Sequence, residues 1–116
     1  MKLYWGPILI GAVAAFGVGS ILAIPITAFL SDGAGRQALL VLVLFAIELF
    51  AGFLAGRFSP DSEALNGSQA ALLLGAIGAV VALGNGAGLV ALVLSAALAL
   101  IVGTMGGVLA LAAKQA

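Results

Sequence analysis

Four long apolar runs, separated only by short polar or glycine-rich segments, decide most of what this chain can become. A helix crossing the hydrocarbon of a bilayer needs about 20 mainly apolar residues. The runs cover about 6–30, 37–58, 67–83 and 89–112. They are continuous rather than alternating, and rich in Ala and Leu, which favours helix over strand. A helix also satisfies its own backbone in lipid, which an open strand cannot do. The expectation is one all-α domain over residues 1–116, an integral membrane four-helix bundle. The third run is the shortest and is expected to stand nearly upright.

Composition agrees with a lipid solvent. The chain is 65% hydrophobic and 7% charged, whereas a soluble domain carries about 25% charged residues. The formal net charge is zero, with no basic block. Nucleic acid is excluded as a partner, because binding it takes clustered Lys and Arg. There is no Cys and no His. That removes disulfides, haem attachment, the usual zinc and copper ligands, and every triad or dyad built on those residues. No catalytic residue, metal or cofactor is expected.

The connections read as turns. Residues 31–35 and 84–88 are glycine-rich, and Gly and Asn tolerate positive φ. Pro60 stops the second helix, and Asn66 reads as the N-cap of the third, with Gln69 completing a capping box. Asp61 and Glu63 are expected in water before that helix, where negative charge suits its N-terminus. Asp32 and Arg36 are expected to form a solvated pair of little worth. Lys2, Arg57 and Lys114 fall on one side and Arg36 on the other. The positive-inside rule then puts both termini in the cytoplasm, with Tyr4 and Trp5 as an interfacial anchor. The first run is too long for a signal-peptide core, so it is expected to be a retained helix.

Lipid tails are as apolar as Leu, so helices associate in membranes through close backbone contact at small residues. Each span carries such residues at a spacing of four: Gly11, Ala15 and Gly19; Gly52 and Gly56; Gly67, Ala71, Gly75 and Ala79; Ala91, Ser95, Ala99, Gly103 and Gly107. The segment 11–15 echoes 75–79, and 52–56 echoes 103–107. Two hairpins related as a parallel pseudo-repeat would produce that echo, and so would shared composition. On the repeat, Glu48 corresponds to Ala99.

Glu48 is the only charge between Arg36 and Arg57. A carboxylate at the bilayer centre costs about 2.5–3.5 kcal/mol on insertion scales. Glu48, Gly52 and Gly56 share one helix face, so the acid is expected inside the bundle. Desolvation disfavours its charged form, and it is expected to carry a proton and donate a hydrogen bond. Ranked by depth, the acceptors are the carbonyl of Ile21, left without a donor by Pro25, and the hydroxyls of Ser20, Ser95 and Thr104. Three roles follow: an interhelical tether, a proton or cation site, or a contact to another subunit.

In size and helix count the chain is similar to the small multidrug resistance transporters. It departs from them because their essential acid lies in the first helix, where this chain has none, and because its third and fourth spans lack Phe, Tyr and Trp. It is also similar in size to the four-helix fluoride channels, but lacks their Thr- and Phe-rich filter. The segment Gly52-Phe53-Leu54-Ala55-Gly56-Arg57 and the step Asn66-Gly67 resemble a group of small four-helix bacterial membrane proteins without established activity. That resemblance implies a bacterial inner-membrane protein. The leading expectation is a non-enzymatic structural or accessory subunit, self-associating or bound to a larger membrane complex. The alternative is a small proton- or cation-coupled transporter or channel that uses Glu48.

Overall fold

The structure, a computed structural model, describes residues 2–84, 86 and 88–116. Among them run four helices: α1 (Trp5–Phe29), α2 (Ala34–Phe58), α3 (Glu63–Gly84) and α4 (Leu89–Gln115). Three of them, α1, α2 and α4, are long and apolar enough to cross a membrane, with mean hydropathies of 2.2, 2.6 and 2.4 in their most apolar windows. The molecule is 43 Å long, close to the roughly 40–45 Å of a bilayer with its headgroups.

Helix starts differ from expectation most at α3. It begins at Glu63, not at 67, so Asn66 lies within its first turn and is not its cap. Ser62 makes the entry instead. Its φ of 55° turns the chain through the left-handed region, and its carbonyl accepts the Asn66 N–H at 2.9 Å. α2 begins at Ala34 rather than 37. In the last connection Gly86 holds a φ of 86°, which suits glycine; the expected turn residues Asn85 and Ala87 lie outside the described residues. Pro7 sits in the first turn of α1, where its missing N–H has no intrahelical acceptor.

α2 and α3 form the middle of the bundle. Each packs on the other three helices, while α1 and α4 do not touch among the described residues. α2 and α4 run parallel, with α3 antiparallel beside them. Register is set by glycines. Gly52 lies against Gly103, and Gly56 against Gly107 and Ala110. Gly67 lies against Gly103 and Gly107, Gly107 against Glu63 and Ala64, and Gly106 against Leu49 and Phe53. A methyl group at Gly52, Gly67, Gly103, Gly106 or Gly107 would overlap the backbone or a side chain of a neighbouring helix. These residues form a three-helix joint held by van der Waals contact, the force that remains when every surface is apolar. On its far side, Gly11 meets Ala51 and Ala55, and Gly19 meets Ile47. Ile8, Ala15, Ala51, Ala55, Ala70 and Leu74 complete a small aliphatic core there.

The tight packing is confined to one end. The last buried residue of α1 is Gly19, the first of α2 is Glu48 and the first of α4 is Ala99. Beyond that level the described side chains are half-buried or exposed, including Ile21, Ile24, Val41, Leu42, Val90, Val93 and Leu94. The bundle is closed at the end carrying both termini and splayed at the other.

The echo between hairpins is only partly expressed. Gly52 and Gly56 do lie level with Gly103 and Gly107. The α1–α2 and α3–α4 registers differ, however. Gly11 meets Ala51 and Ala55, but Gly75 meets Ala99, one to two turns from the positions that the echo assigns to it. α3 follows the joint with α4, not the pattern of α1, so the hairpins are not superposable units.

Candidate functional site

Glu48 sits at the boundary between the closed and splayed halves. It is 3% exposed. Gly52, one turn on, lies against Gly103, so Glu48 faces the level of Ala99 on α4. Gly75 of α3 meets that same Ala99. The acid is therefore buried within the bundle near the level of Ala99. A contact to another subunit, one of its three expected roles, does not fit so buried a position.

Its Oε2 is buried with no hydrogen-bond partner, and none of the four expected acceptors serves it. The Ser20 hydroxyl donates to the Phe16 carbonyl at 2.8 Å, and the Thr104 hydroxyl donates to the Leu100 carbonyl at 2.6 Å. Hydroxyls in membrane helices bond back to their own helix in this way. Ser95 is exposed. The Ile21 carbonyl is out of register: with Gly19 against Ile47, it lies at least one turn nearer the splayed end than Glu48. Ile21 itself is 69% exposed and faces outward. Depth counted along the sequence placed these groups together; the packed registers and helical phases separate them.

Above Glu48 the helices part. A crevice of about 350 Å³ lies between α2, α3 and α4, lined by Leu44, Leu72, Gly75, Gly78, Leu92 and Ser95 among others. A second, of about 290 Å³, lies between α1, α2 and α3 and shares Leu44 and Gly78 with the first. Leu44 is one turn from Glu48 on the same face of α2. Helical side chains lean toward their helix N-terminus, and for α2 that is toward the crevice. Both crevices are almost wholly apolar, and Glu48, one turn from Leu44, lies beneath them without being among the residues that line them. No group of three or more Asp, Glu, His or Cys that could hold a metal occurs among the described residues.

The glycines expected to mediate packing, Gly11, Gly19, Gly52, Gly56, Gly75, Gly103 and Gly107, each have a neighbouring helix within van der Waals reach. Gly106 joins them; its place within Gly103-Thr104-Met105-Gly106-Gly107 was the available signal.

A second polar cluster at the closed end was not foreseen. The buried Asn66 side chain accepts the Tyr4 N–H at 2.7 Å and donates to the carbonyls of Lys2 and Ser62, each at 2.9 Å. The Lys2 N–H donates to the Ser62 hydroxyl, which donates to Asp61. Tyr4 donates its phenol proton to Asp61 at 3.1 Å. The Ser62 hydroxyl first, and then the Tyr4 phenol, hold the Asp61 carboxyl below its ordinary range. Lost hydration, then the bond to Asp61 and its charge, push the Tyr4 phenol up. Glu63 is not in water as expected. It is buried and pairs with Lys114 at 3.2 Å, and the Lys114 ammonium also donates to the Ser59 carbonyl. Asp32 and Arg36 form no such pair; Glu63–Lys114 is the one salt bridge among the described residues. No family model matches this chain, and no curated protein or solved structure does.

Proposed function

We propose that this chain is a small, non-enzymatic multi-pass protein of a bacterial plasma membrane whose working group is Glu48, a site that takes up and releases a proton or binds a small cation. All four helices cross, with both termini in the cytoplasm, since the closed end gathers Lys2, Arg57 and Lys114 against Arg36 at the other. The observation that carries this reading is the buried Oε2 of Glu48 without a partner. Intramembrane carboxyls that are neither paired nor tied to a neighbouring helix mark ion pathways. The missing partner of Oε2 favours this role over the tether.

Reconstitution into liposomes tests it. Wild-type protein is expected to carry proton or cation flux under an imposed gradient, and Glu48→Gln, folded to the same helix content, is expected to abolish it. Equal flux from both proteins would sink the reading.

One observation favours a second reading, the structural or accessory subunit. The cleft above Glu48 is almost wholly apolar, and Ser95 is its one polar side chain. A path for ions would then need further copies of this chain or a larger complex. Small-residue stripes add little to that reading, because most of the mid-helix glycines are engaged inside the chain, while Gly17 and Gly78 are open. Purification in mild detergent separates the readings: a stoichiometric partner, with unchanged behaviour of Glu48→Gln, would favour the accessory role.

A further inference from the structure

We propose that the splayed end of the bundle holds one diacyl phospholipid, with its phosphate on Arg36 and its acyl chains in the two crevices that meet at Leu44 and Gly78. The site is separate from Glu48, which lines neither crevice. Three observations converge on this occupant.

The first is a charge within an apolar stripe. Burial marks the bundle-facing side of α2. Glu48, Ala51, Gly52 and Ala55 are buried, and Ile47, Val43, Leu40 and Arg36 are half-buried. Spacings of three and four carry that face to the start of the helix, and its outermost member is a guanidinium. Arg36 forms no salt bridge among the described residues. Elsewhere at that end, residues 22–35, 37–47 and 76–98 contain one charge, Asp32, exposed in the connection before α2. A half-buried cation with no protein counter-charge suits an anion, and the planar fork of Arg matches phosphate oxygens.

The second is length. Arg36 and Ile47 are eleven residues apart, three turns of helix, so they share a face and stand about 16 Å apart along the axis. Ile47 lines the crevice between α1, α2 and α3. One leaflet is half of a hydrocarbon core of about 30 Å, or about 15 Å. A phosphate at Arg36 therefore sets an acyl chain of that leaflet along the crevice as far as Ile47.

The third is shape. The crevice of about 290 Å³ on the α1 side and that of about 350 Å³ on the α4 side share Leu44 and Gly78. Two grooves that meet at one place fit two chains hung from one glycerol. Ser20 and Ser95 are their only polar side chains, and the Ser20 hydroxyl is already bonded to its own helix. An occupant is therefore hydrocarbon along its body and makes its polar contact at the rim, where Arg36 lies.

Titration of the delipidated chain in mild detergent with dioleoylphosphatidylglycerol, read by native mass spectrometry, tests the proposal. One lipid per chain is expected to bind saturably. Dioleoylglycerol has the same chains without the phosphate, and glycerol 3-phosphate has the phosphate without the chains; each is expected to bind at least about tenfold more weakly. Phosphatidylethanolamine, which has both parts, is expected to compete. Arg36→Gln is expected to weaken binding by about tenfold, as for the loss of a charge-assisted hydrogen bond, and Arg36→Lys to weaken it less. Gly78→Leu, which fills open space where the crevices meet, is expected to weaken it too, while Gly17→Ala, outside both crevices, leaves it unchanged. Circular dichroism checks that each variant keeps its helix content. Full binding to Arg36→Gln, or equal binding of dioleoylglycerol, would overturn the proposal and leave the crevices filled by lipid acting as solvent. Binding lost in Arg36→Gln but kept in Gly78→Leu would also overturn it, by placing the headgroup on the surface with its chains outside the crevices.

Discussion

Asn66 shows how one side chain can replace a stretch of secondary structure. Its carboxamide accepts the N–H of Tyr4 and donates to the carbonyl of Lys2. It does for the N-terminal segment what a neighbouring strand would do, one donor and one acceptor side by side. Because it is fully buried, its removal leaves backbone groups without partners. Asn66→Ala is expected to destabilise the folded protein by about 1–3 kcal/mol and to speed hydrogen exchange at Tyr4 in detergent. Unchanged exchange there would count against the clamp. The sequence made Asn66 prominent but assigned it the wrong task. An Asn before an apolar run reads as a cap, and only the φ of Ser62 reveals that the helix has already begun. Glu48 was legible as a buried acid for a simpler reason: it shares a face with Gly52. Its lack of a partner was not legible, because depth can be counted along a sequence while the relative rotation of two helices cannot.

At the scale of the helix, glycine has opposite values in different places. Gly107 lies against the backbone of Glu63 and Ala64, with no room for a methyl group. Gly17 has nothing within 4 Å of where a Cβ would stand. Overpacking costs about 1–3 kcal/mol, whereas Gly to Ala in an open helix position gains up to about 1 kcal/mol. Gly107→Ala should therefore lower the midpoint of denaturation in a fixed detergent, and Gly17→Ala should hold or raise it. The same sign from both variants would mean that the joint is not what holds α3 to α4. Spacing of four identified the faces that approach one another. It did not say which helix each face meets, since a glycine stripe fits any other. The pairing of α2 with α4 follows from the short turn that returns α4 antiparallel to α3, with α2 on the same side.

The whole molecule is a bundle closed at one end and open at the other. Four apolar runs with short connections made the helix count and class legible. The splay was not, because Leu and Val face lipid or protein with equal ease, so hydropathy carries no signal for where helices part. The chain has no cysteine, so paired spin labels can be placed without removing native thiols. Labels at Arg36 and Leu89, at the open end, are expected to give a broader distance distribution than labels at Arg57 and Leu111, at the closed end. Equal widths would show that the open end is as firmly held as the joint.

The joint also imposes an order in time. Its parts come from the second half of α2, the first half of α3 and the second half of α4. During synthesis α1 and α2 can pair at once, through Gly11 and Gly19. Gly52, Gly56 and Gly67 must then wait in the membrane beside lipid until residues 103–110 arrive. The fourth helix is the one that fastens the second to the third.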